Sequence, residues 1–144
     1  MLADFLEEHR KLLAALEDIA TSLKRTPPVE VDELTRLRVR FGTLARQHLH
    51  SEEEKIFRPL TETGLLETLP KIQAIMQDMR AEWATYSANV REWTLPAIMA
   101  DRAGYLQQIE RRTELLRSWN RIEEEQVYRP ALAALEEHRR KQEA

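Results

Sequence analysis

Apolar residues recur at intervals of three and four along nearly the whole chain, and nothing alternates with the period of two that a strand requires. This periodicity commits the chain to helices that each bury one stripe. Phe5, Leu12, Leu16 and Ile19 mark the first stripe, and Leu34, Leu37, Phe41 and Leu44 the second. Ile72, Met76, Met79 and Trp83 mark the third, and Tyr105, Ile109, Leu116 and Val127 the fourth. Leu6 and Val90 fall on the first and third stripes by the same count. Proline supplies the punctuation. Pro27-Pro28 ends the first run, Pro59 and Gly64 end the second, and Pro70 and Pro96 suit first turns. The spacing predicts helices over 2–24, 31–61, 69–93 and 96–128, with Pro130 breaking the fourth and a short terminal helix over 130–141. Short connections favour an all-α, up-down-up-down four-helix bundle in one domain spanning 1–144.

Several functional classes lack their residues. Cysteine is absent, which removes disulfides, thiolate metal sites and thiol nucleophiles. Three glycines, Gly42, Gly64 and Gly104, cannot build a dinucleotide or phosphate loop. A net charge of −3 without a basic face argues against nucleic acid as a partner. No apolar run reaches the roughly 18 residues of a membrane span. The acidic, amphipathic start lacks the features of a leader, so a cytoplasmic protein is expected.

The informative residues are the polar ones inside the stripes. His9 lies between Leu6 and Leu12. His48 follows Leu44 by four and precedes Glu52 by four; Glu123 follows Trp119 by four and precedes Val127 by four. Residues four apart share a helical face. Two imidazoles and two carboxylates should therefore meet in the core. Burying carboxylates costs several kcal/mol each unless they are paired, protonated or metal-bound. Two neutral His and two ionised Glu around a divalent cation sum to zero charge, and the donors suit iron, zinc or manganese. A closed network of hydrogen bonds or internal ion pairs satisfies the same four groups, and spacing alone leaves both readings open. In the runs Glu52-Glu53-Glu54 and Glu123-Glu124-Glu125, one residue each is expected to turn inward and the rest to face solvent.

The chain also repeats itself. His48-Leu-His-Ser-Glu52-Glu-Glu-Lys-Ile-Phe-Arg-Pro59 aligns with Trp119-Asn-Arg-Ile-Glu123-Glu-Glu-Gln-Val-Tyr-Arg-Pro130, displaced by 71 at every position. Asp4 to His9 echoes Asp78 to Trp83 more weakly, displaced by 74. Two helix pairs related by a pseudo-two-fold suit a site with two halves.

These segments resemble the hemerythrin-like, or HHE cation-binding, family. Glu8-His9 resembles the family's first-helix opening. The second-helix segment resembles its His-x-x-x-Glu-Glu-x-x-Leu-Phe-Pro pattern, with one extra residue, Arg58, before the proline. The resemblance implies that His9, His48 and Glu52 are metal ligands and that Glu123 takes the place of the bridging carboxylate. It also places Trp83 and Trp119 where the second metal's histidines would stand, and Ser87 where a further one would. Indole offers an N–H donor and no acceptor, so it cannot ligate. These tryptophans are expected to fill the second metal position, with their N–H groups placed to donate to Glu52 or Glu123. The expectation is then a single divalent ion, iron first and zinc or manganese next, serving sensing or storage. A small ligand at an open position is compatible with it. Oxygen carriage and diiron turnover are disfavoured. The alternative is a metal-free module for protein interaction. A bundle enzyme with acid–base carboxylates is the weakest reading, since no substrate pocket is evident.

Overall fold

The computed structural model describes residues Met1–Ala144, and the chain is all-α, with no strand. Helix α1 spans Leu2–Lys24 and α2 spans Val31–Glu52. A π-helical turn, Glu53–Phe57, carries α2 directly into α3, Arg58–Glu62. Gly64, at φ 74°, then ends the run in the left-handed conformation that glycine adopts without strain. A 3-10 turn at Leu66–Thr68 leads into α4, Pro70–Glu92, with its proline in the first turn. A short α5, Leu95–Ala100, precedes α6, Arg102–Glu123. A second π turn, Glu124–Tyr128, joins α6 to α7, Arg129–Glu143. No helix is long and apolar enough to cross a membrane.

The fourth predicted helix is therefore corrected at both ends. It starts at Arg102 because Asp101 caps it, the Asp101 carboxylate accepting from Gly104 N–H at 2.9 Å. A Cβ at 104 would meet the Asp101 carboxylate in its present rotamer, so a larger residue there would require that side chain to shift. Pro130 does not break the helix, and α7 continues from α6 through the π turn. A widened turn already leaves a carbonyl without its usual partner. A proline just beyond it, lacking an N–H, fits without breaking the axis.

The π turns obey the internal repeat: Glu53–Phe57 and Glu124–Tyr128 are displaced by the same 71 residues. Arg58 N–H reaches back five residues to Glu53 O. Each turn absorbs one extra residue before a proline, Arg58 in the first copy and Arg129 in the second.

Helix α1 packs along both α2 and α6. Apolar burial falls into two clusters. One contains Leu12, Leu16, Ile19, Phe41, Tyr105 and Leu116, among others. The other is built around Phe5, Ile56, Leu60, Met76, Val127 and Tyr128. His9, His48 and Glu123 each lie, along their own helix, between members of the two clusters. A polar layer thus crosses an apolar interior. Leu6 and Val90, assigned to stripes by periodicity, are 37% and 40% exposed.

Candidate metal centre

Three helices deliver the polar layer. α1 contributes His9, α2 contributes His48 and Glu52, and α6 contributes Glu123. All four are at least 96% buried, with exposures of 2%, 2%, 1% and 4%. His9, His48 and Glu123 each offer a ligand atom within 4.8 Å of the others. Glu52 joins them less tightly, with Oε2 3.6 Å from His48 Nε2. The imidazoles meet edge to face, with ring centroids 4.8 Å apart.

A fifth residue, Tyr128, stands at their centre. Its hydroxyl oxygen lies 2.6 Å from Glu52 Oε2, 2.9 Å from Glu123 Oε2, 3.0 Å from His9 Nε2 and 3.3 Å from His48 Nε2. Its ring is fully buried and stacks on Phe5, with centroids 4.4 Å apart. Helical periodicity hides this residue. In a plain α-helix, residues five apart diverge by about 140°. The π turn brings Tyr128 back onto the face of Glu123. The sequence signal is the extra residue before the proline in both copies, which marks an inserted turn.

The outer ring nitrogens are also held. His9 Nδ1 lies 2.6 Å from Glu124 Oε2, and His48 Nδ1 lies 2.7 Å from Glu8 Oε1. Ser51 Oγ–H donates to the other Glu8 oxygen at 3.0 Å. These contacts place the ring protons on Nδ1 and aim both Nε2 lone pairs at the centre, as second-sphere carboxylates do for metal-bound histidines. Glu124 is thus a correction to the solvated-face reading of Glu123-Glu124-Glu125. Two residues of that run face inward, and Glu124 is only 29% exposed.

Burial shifts His9, Glu123 and Tyr128 toward their neutral forms. Burial and the facing His48 ring pull the His9 pKa down to about 3, so its contact with Glu124 is a donated N–H and not an ion pair. Burial, then the neighbouring Glu52 carboxylate, raises Glu123 well above the ordinary 4.5. Burial and the same two carboxylates raise Tyr128, which keeps it a phenol. Burial alone would raise Glu8, but the hydrogen bonds from His48 and Ser51 outweigh it and lower the carboxyl. The phenolic O–H can donate to only one of its four neighbours at a time, and the proton that the raised Glu123 carboxyl holds supplies a second donor to the centre. Glu52 Oε1 has no partner at all. A buried centre of this kind requires additional protons or a cation.

Trp83 and Trp119 are half-buried. Together with Phe41, Met79, Leu116 and Glu123 they line a narrow cleft of about 30 Å³, room for a water-sized molecule. Neither indole bonds to Glu52 or Glu123, contrary to expectation; the side chain that reaches both carboxyl groups is Tyr128. Trp83 instead packs on Phe41 and Tyr86, with centroids 6.4 and 5.7 Å away. Ser87 lines a different, larger cleft. No family model matches the sequence, and neither a curated protein nor a solved structure gives a significant match.

Proposed function

We propose that this chain is a hemerythrin-like four-helix bundle that binds one divalent metal ion, iron in preference to zinc or manganese, on His9, His48, Glu52 and Glu123. A sensing or storage role fits this site better than oxygen carriage. The observation that carries the reading is the pair of carboxylate-backed imidazoles, each with Nε2 turned toward the buried Glu52 and Glu123 carboxyl groups. The unpartnered Glu52 Oε1 and the mixed imidazole–carboxylate donor set fit an ion of this class. When bound, a divalent ion would neutralise the two carboxylates and offer a Lewis-acidic position to a small ligand. Glu8 and Glu124 hold the imidazoles in the ligating tautomer, and the cleft at Trp83 and Trp119 gives a path to Glu123.

Metal analysis of untagged protein, purified after growth with supplemented iron, zinc and manganese, tests this. Occupancy below about a tenth of an ion per chain would overturn it. His48→Ala should abolish binding. His50→Ala should leave it intact, because His50 is exposed.

A second reading has its own observation. The Tyr128 hydroxyl sits within 3.3 Å of all four groups and can organise them without an ion. On that reading the chain is a metal-free module for protein interaction, and a chelator would leave its melting temperature unchanged.

A further inference from the structure

A much larger cleft lies on the other side of Trp83. It holds about 790 Å³ between α2, α4 and α6, within the range of small-molecule sites. Trp83, Tyr86 and Trp93 supply its aromatic wall. Four arginines line it, Arg38, Arg46, Arg91 and Arg112, and no aspartate or glutamate does. That bias runs against the chain as a whole, where 25 acidic residues face 22 basic ones.

The arginines are poorly compensated. Arg112 is only 13% exposed, and Glu82, its ion-pair partner, is 3.7 Å away, too long for a hydrogen bond. Its guanidinium lies 5.4 Å over the Tyr86 ring instead. Arg38 donates to Trp93 O at 2.7 Å, which ties α2 to the end of α4, and Arg46 reaches only Thr43 Oγ1 at 3.5 Å. Arg46 and Arg91 are exposed at the mouth. A half-buried cation without a hydrogen-bonded anion carries a desolvation cost that an incoming anion offsets. Planar guanidinium groups suit carboxylates in particular.

We propose that this cleft binds an organic anion with an apolar body, a carboxylate on a hydrocarbon frame. The carboxylate pairs with Arg112 inside the cleft, and the body lies on Trp83, Tyr86 and Trp93. Arg46 and Arg91 attract the anion at the mouth. This site is independent of the metal reading, although Trp83, Tyr86 and Arg112 also line the narrow cleft that reaches Glu123.

Dodecanoate tests the proposal against dodecan-1-ol and dodecyltrimethylammonium, with calorimetry and tryptophan fluorescence as readouts on the untagged full chain. Dodecanoate should saturate one site with a micromolar dissociation constant, and the alcohol and the cation should bind at least about tenfold more weakly. Arg112→Met should weaken dodecanoate by about tenfold or more. Arg91→Glu, at the exposed mouth, should weaken it several-fold while melting temperature and metal content stay unchanged. Equal binding of alcohol and carboxylate overturns the proposal. So does an Arg91→Glu protein that binds normally, or the lack of saturable binding at about millimolar dodecanoate. Val39 is 61% exposed on the cleft wall. A dimer that Val39→Glu dissociates, with loss of tryptophan shielding, would assign the cleft to a second copy of the chain and overturn the proposal as well.

Discussion

Replacing Tyr128 by phenylalanine removes one oxygen atom and should destabilise the metal-free protein by about 3 kcal/mol. The figure follows from the contacts. The hydroxyl lies 2.6 Å from Glu52 Oε2 and 2.9 Å from Glu123 Oε2, both on carboxyl groups at least 96% buried. Losing a hydrogen bond to a charged acceptor costs about 1.5–3 kcal/mol, and leaving a buried polar atom unpaired adds about 1–3 kcal/mol. Relaxation of the neighbouring side chains would recover part of this, which places the net near the lower end of the summed range. Phenylalanine keeps the stack on Phe5, so little is lost from apolar packing. For a chain of this size the loss corresponds to roughly 6–12 °C in melting temperature. The assay is thermal denaturation by circular dichroism, in chelator and again with saturating zinc or iron(II). With metal bound, the ion pairs with the carboxylates and the hydroxyl becomes redundant. The difference between Tyr128→Phe and the parent should then shrink below about 1 kcal/mol. A loss under about 1 kcal/mol in chelator would show that the phenol does not hold the centre together. A loss as large with metal as without would show that metal and hydroxyl do not compete for the same four groups.

The remaining predictions concern the groups around that centre. Glu123 has a raised folded pKa, so its contribution stabilises the fold at low pH and is lost as pH rises through 4.5 toward the folded value. In chelator, Glu123→Gln should therefore gain on the parent as pH rises above about 5, and a constant gap in urea melts would contradict this assignment. Glu8→Gln and Glu124→Gln should each weaken metal binding by about 10–100-fold by loosening the imidazole tautomer, as competition titration would read. Unchanged affinity in both variants would remove the second-sphere role. Asn120 is 96% buried with neither amide atom hydrogen bonded, and the repeat places Leu49 at the equivalent position. Asn120→Leu should raise stability by about 1–2 kcal/mol, and a destabilised variant would mean that the amide has a partner or ligand.

Much of this protein is written locally. The three- and four-residue spacing of apolar positions, with prolines and Gly64 between them, was enough to read the all-α class, because a helix buries whatever recurs at its own period. The same spacing marked His9, His48, Glu52 and Glu123 as polar groups on apolar faces, and burial follows from that placement. Periodicity failed where the helices depart from it. The start of α6 depends on a cap at Asp101, and Pro130 is absorbed by a π turn that apolar spacing does not encode. That turn delivers Tyr128 to the centre, five residues from Glu123 and on the same face. Glu8 and Glu124 look like solvated surface in one dimension. They become part of the centre only when packing sets α1 against α2 and α6 and places each carboxylate on the outer nitrogen of an imidazole. The roles of Trp83 and Trp119 were likewise decided in three dimensions. Their positions in the repeat could be counted, but their neighbours could not: Trp83 packs on Phe41 and Tyr86, and the carboxyl groups are reached by Tyr128.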